Sequence, residues 1–85
     1  MPGDLTDRDR AILALEAAWP RHGGMKEETI REKLGMSSAR YYQLLGRLIE
    51  TEAALEADPL LVRRLRRLRD TKAAQRTSRM RGFVG

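Results

Sequence analysis

Apolar residues recur at helical spacing in four stretches of this chain, and glycine, proline and serine separate the stretches. Ile12, Leu15 and Trp19 stand at i, i+3 and i+7 with Ala11 and Ala18 beside them. That stripe predicts a first helix over 7–19, with Thr6 as N-cap, Asp7 and Asp9 in the first turn where the helix dipole favours negative charge, and Leu5 covering its start. Pro20 and Gly23-Gly24 end it. A second helix is predicted from Met25 to Leu34, with Ile30 and Leu34 as its inward residues and Glu27 to Arg31 as a surface ion pair. It is too short to stand without its neighbours. A third is predicted from Ser38 to about Thr51, with Tyr41, Leu44, Leu45 and Leu48 on one inward face. The alanine-rich stretch TEAALEADP reads as its continuation. Asp58 as N-cap and Pro59 in the first helical position open a fourth helix, LLVRRLRRLRD, whose Leu61, Leu65 and Leu68 form a stripe flanked by Leu60 and Val62, with Arg63, Arg66 and Arg67 opposite. Beyond Asp70 the periodicity is lost, which predicts a fraying helix end and a disordered tail from about Thr77. The fold expected is all-α, three core helices with a basic fourth, over 1–70, followed by a flexible basic tail over 71–85.

Between the second and third helices, Gly35-Met36-Ser37 makes a tight punctuation. Gly35 suits a positive φ and Ser37 suits an N-cap, which together give the layout of a helix-turn-helix. An ordinary antiparallel helix pair in a small bundle gives the same local signals. The usual pattern of the motif asks for a small residue where Arg31 stands, glycine where Gly35 stands and an aliphatic where Tyr41 stands, so Arg31 is the departure. In this alignment Ser37, Ser38, Ala39, Tyr42 and Gln43 lie at the start of the recognition helix. Ser38, Ala39, Tyr42 and Gln43 are the candidate base contacts, with Gln43 first because its amide pairs in two places with adenine. Arg40 and Arg47 serve a guanine or a phosphate equally well. Tyr42 also reads as a surface aromatic, and Gly46 as either a point of close approach to a duplex or a weak spot in the helix.

Composition narrows the classes of function. At 85 residues the chain makes one small domain with little room for an enclosed catalytic pocket. It has no cysteine, so no disulfide or thiolate metal site is available. Its N-terminus lacks the basic-then-apolar start of a secretory signal, and no apolar run approaches membrane-spanning length, so a cytoplasmic protein without membrane contact is expected. The net charge of +5 is unevenly placed: residues 1–50 hold eight basic and eight acidic side chains, residues 51–85 nine and four. Clustered cations of this kind suit a polyanion. The series Arg63, Arg64, Arg66, Arg67 and Arg69 reads as a solvated face or, because few acids accompany it, as a surface completed by an outside anion. His22 stands alone in a Pro-Gly loop and reads as a surface residue. Glu28 and Glu32 share a helix face, yet no nucleophile or phosphate-cradling loop accompanies them, so neither catalysis nor a cofactor is expected.

Taken together, the segments Thr6 to Leu13 (TDRDRAIL), Lys26, Ile30-Arg31, Gly35-Met36-Ser37, Arg40-Tyr41-Tyr42-Gln43 (RYYQ) and Asp58 to Arg69 (DPLLVRRLRRLR) resemble a family of small actinobacterial proteins classed as a domain of unknown function. The resemblance implies a bacterial intracellular setting and no catalytic residues. A looser similarity to the DNA-binding fourth region of sigma factors is confined to the helix-turn-helix and concerns the fold alone. The function expected is duplex-DNA binding, as a small transcription regulator or nucleoid-associated protein, with Ser37, Arg40, Arg47, Arg63, Arg66, Arg67, Lys72, Arg76, Arg79 and Arg81 on phosphates and a homodimer as a natural arrangement. The alternative is an adaptor that uses the leucine stripe of the fourth helix to dimerise or to dock on an acidic partner such as the transcription machinery; structured RNA is a third ligand class.

Overall fold

The computed structural model describes residues 4–84, with side chains described through Arg76. Five helices follow one another: α1 (Asp7–Ala18), α2 (Gly24–Leu34), α3 (Ser38–Leu48), α4 (Glu52–Ala57) and α5 (Pro59–Val84).

Local chemistry sets most of the boundaries. Thr6 Oγ1 accepts from the Asp9 N–H at 3.1 Å while Asp9 Oδ2 accepts from the Thr6 N–H at 3.1 Å, a reciprocal cap that opens α1. Gly35 ends α2 with φ 63°, the left-handed conformation in which a side chain is strained, and its N–H closes on the Arg31 carbonyl. Ser37 Oγ accepts from the Arg40 N–H at 3.2 Å and opens α3. Asp58 Oδ1 does the same for Leu61 at the start of α5, at 3.2 Å.

Two boundaries differ from the sequence expectation. The third helix does not run on through the alanines. Thr51 Oγ1 donates to the Leu48 carbonyl at 2.8 Å and accepts from the Ala54 N–H at 3.2 Å, so one hydroxyl closes α3 and opens a separate α4. The last helix does not stop at Asp70. It continues as α5 to Val84 through Lys72, Ala73, Ala74, Gln75 and Arg76, good helix formers with no proline among them, so helix persists where the apolar repeat is lost. Twenty-six residues at 1.5 Å each make it roughly 39 Å long, against molecular extents of 48 × 30 × 20 Å.

The core comprises Ile12, Leu13, Leu15, Ile30, Tyr41, Leu45, Leu48, Ile49, Ala54, Leu61 and Val62. α3 is central, packing on α1 and α2, while α4 packs on the first turns of α5. Trp19, Leu34, Leu44 and Leu65, expected in the core, are only half-buried, and Ala18 is exposed. Leu68 is 52% exposed because it borders an open groove between α5 and α3. The expected Glu27–Arg31 pair does not form; Glu27 instead meets His22 Nε2 at 3.1 Å.

Candidate nucleic-acid interface and the groove beside it

Tyr41, Leu45 and Leu48 anchor α3 inward, which leaves Ala39, Arg40, Gln43 and Arg47 exposed on its outer side, with Ser38 half-buried at its start. Arg40 Nη1 donates to Gln43 Oε1 at 3.5 Å, so the two side chains lie along one surface. Ser37 is exposed, with its hydroxyl engaged as the cap.

Tyr42 stands differently from its neighbour Gln43. It is half-buried, its ring meets Tyr41 edge-on at 5.0 Å, and its hydroxyl lies 2.9 Å from His22 Nδ1. Nε2 faces the Glu27 carboxylate at 3.1 Å, while Nδ1 shares a hydrogen bond with the Tyr42 hydroxyl. The chain Glu27–His22–Tyr42 thus ties the loop before α2 to α3, and the expected base contact is turned toward the fold. His22, read from sequence as a surface residue, is exposed yet acts as this bridge.

Beneath Tyr42 lies a polar group that the sequence reading passed over. Lys26 Nζ donates to Glu16 Oε1 at 2.8 Å, with the two side chains 2% and 5% exposed. The same Glu16 oxygen accepts from the Tyr41 hydroxyl at 2.7 Å, and Lys26 Nζ lies 5.7 Å and 5.1 Å from the Tyr41 and Tyr42 ring centres. Burial above all, then the hydrogen bond to Glu16 and its charge, pushes the Tyr41 hydroxyl well above the usual phenol range. Among the described residues no buried side-chain nitrogen or oxygen lacks a partner.

The α5 cations separate into groups. Arg66 is half-buried, with Nε donating to the Ile49 carbonyl at 2.6 Å and Nη2 to the Thr51 carbonyl at 3.5 Å, so it closes the end of α3. Arg69 pairs with Glu50 and Asp70. Arg63 and Arg67 are exposed, but at 100° per residue they lie about 160° from Leu65, on the side of α5 turned away from α3. Lys72 and Arg76 project on the same side as Leu65 and Leu68, where they border a groove of about 600 Å³ floored by Tyr42, Leu45, Gly46 and Ile49. Arg79 and Arg81 lie outside the described side chains. Among the described residues no group of three or more His, Cys, Asp or Glu side chains is placed to hold a metal ion, and no helix is long and apolar enough to cross a membrane.

This architecture is a small all-α bundle built around a helix-turn-helix, with one outward helix face beside an apolar, cation-rimmed groove. Over residues 4–77 the chain matches the family described as "Protein of unknown function (DUF3263)", and it belongs to that family. No curated protein and no solved structure matches it.

Proposed function

We propose that this protein binds duplex DNA through α3, as a small transcription regulator or nucleoid-associated protein. The observation that carries this reading is the exposed strip Ala39, Arg40, Gln43 and Arg47, held outward by a helix whose opposite side is fully anchored, directly after the left-handed Gly35 turn. A helix so placed enters a major groove with its N-terminal half, Gln43 toward base edges with Ser38 and Ala39 lining its approach, and Ser37, Arg40 and Arg47 toward phosphates. Lys72 and Arg76 are the α5 cations on that side and take flanking phosphates. Arg63 and Arg67 are left out because they face away, and Tyr42 acts by positioning α3. The TDRDRAIL resemblance favours an actinobacterial cytoplasm, at the nucleoid, as the setting. One recognition helix reads few base pairs, so a two-fold dimer on a palindromic site belongs to the proposal. Catalysis has no part in it.

The test is a fluorescence-anisotropy titration of a random 20-base-pair duplex at 50 and 200 mM salt. Four cations on phosphates predict a fall in affinity of about 100-fold between the two. Gln43→Ala with Arg47→Ala, in a variant whose helical circular dichroism is unchanged, weakens binding further. Absence of any binding at 50 mM salt, or wild-type affinity in the double variant, overturns the proposal.

A further inference from the structure

The fold completes its core at Leu61 and Val62, yet α5 keeps an apolar side for two more turns. Leu65 is half-buried at the edge of the core and Leu68 is 52% exposed, and both line an open groove with Leu45, Ile49, Gly46 and Tyr42. The groove between them runs along α5 from Leu65 to Arg76, roughly 17 Å or three helical turns. Lys72 and Arg76 stand on its rim, and neither forms an ion pair with another described residue. Of its carboxylates only Glu16 reaches the floor, and that one is already held by Lys26 and Tyr41.

We propose that this groove is a docking site for an acidic amphipathic helix of a partner protein. An apolar strip on that helix would cover Leu65, Leu68 and Ile49, and its flanking Asp or Glu side chains would meet Lys72 and Arg76. The other occupants fail on chemistry. Phosphate backbones gain nothing from an exposed leucine pair. A membrane surface does not enter a concavity. A second copy of α5 would bring its own Lys72 and Arg76 against this rim. The later turns of α5 do not fill the groove themselves, since Pro59–Val84 is one continuous helix. The groove shares Lys72 and Arg76 with the DNA reading but not Ala39, Gln43 or Arg47, so peptide binding over Leu65, Leu68 and Ile49 is tested independently of duplex binding.

The experiment uses the full chain and fluorescein-labelled 16-residue helical peptides carrying leucine at i, i+4, i+7 and i+11. One version has glutamates flanking the strip, a second has lysines there, and a third has the glutamate composition in scrambled order. The glutamate peptide is expected to bind with a dissociation constant in the micromolar range and to shift the backbone amide resonances of residues 42–49 and 65–76, while the lysine and scrambled peptides bind at least about tenfold more weakly. Leu68→Asp, a change at an exposed position that leaves the core intact, is expected to cost about tenfold or more by removing an apolar anchor and adding like charge. Gln43→Ala with Arg47→Ala leaves peptide affinity unchanged. Equal binding of the scrambled peptide, shifts confined to the Arg63 and Arg67 side, indifference to Leu68→Asp, or a concentration-dependent dimer that Leu68→Asp dissolves would each overturn the proposal.

Discussion

Replacing Lys26 with methionine isolates the buried ion pair. Methionine matches the lysine stem in length and fills its space, so the lost element is the charge that Glu16 faces at 2.8 Å. A carboxylate left in that site keeps one donor, the Tyr41 hydroxyl at 2.7 Å. Removing one member of a buried pair costs about 3–5 kcal/mol, because the remaining buried charge loses its opposite charge. For 85 residues at about 0.05–0.15 kcal/mol each, total stability is about 4–13 kcal/mol, so the single change removes roughly a quarter of it or more. Glu16→Leu is expected to cost less. Lys26 lines the groove and has a flexible stem, so an unpaired ammonium swings toward solvent while two aromatic rings still lie within 6 Å of its present place.

The double variant Glu16→Leu, Lys26→Met removes both charges together. It is expected to lie within about 2 kcal/mol of the parent, since apolar replacements of a buried pair are often neutral or better. The Tyr41 hydroxyl then falls back on the Ile12 carbonyl, 3.4 Å away. Urea denaturation followed by circular dichroism reads all four corners of this cycle as midpoints and slopes. The reasoning fails if Lys26→Met costs under about 1 kcal/mol, or if the double variant costs the sum of the singles.

Two further outcomes follow from single side chains. Gly35→Ala places a methyl group at φ 63° and is expected to cost about 1–2 kcal/mol, whereas Gly46→Ala, in the helical interior of α3 with nothing within 4 Å of the added carbon, is expected to gain up to about 1 kcal/mol; thermal melts moving in opposite directions check both. Tyr41 keeps its proton in the fold at pH values where the unfolded chain, ionising near pH 10, has lost it, so its contribution is whole below about pH 10 and declines above it by about 1.4 kcal/mol per pH unit. Denaturant titrations from pH 9 to 11.5 should show this slope in the parent and a slope flatter by that amount in Tyr41→Phe.

What was legible in the sequence is what acts over a few residues. Thr6, Ser37 and Asp58 cap the helices they were expected to cap, and Gly35 takes the conformation its place between two helices demanded. Tyr41 lies in the core as its spacing required. Thr51 was harder, because a threonine between two helix-favouring stretches reads equally as interior or cap until the fold turns the chain at Ile49. The interior pair escaped notice because each member looks solvated by itself. Its signal was available: Glu16 follows Ile12 by four residues and Lys26 precedes Ile30 by four, so opposite charges sit within the two apolar stripes that face each other. The outer face of α3 was half legible. Gln43, Arg40 and Arg47 are exposed as expected, but the tie between Tyr42 and His22 spans twenty residues and no local pattern announces it.

The length of α5 joins the two proposed surfaces. A helix that ended with the core, near Val62, would leave a plain helix-turn-helix with one exposed face. By running on, α5 gives α3 a second wall, on which Leu65 packs at the edge of the core while Leu68 stays 52% exposed. An isolated helical extension is marginal in water and gains from being covered. The covering group must accept Leu65 and Leu68 on one side and Lys72 and Arg76 on the other, which a duplex does only in part and an acidic helix does throughout. Lys72 and Arg76 therefore serve whichever polyanion arrives. If both proposals hold, an acidic helix seated in the groove withdraws those two cations from flanking phosphates and lowers duplex affinity, with the loss largest at low salt, where each phosphate contact counts most.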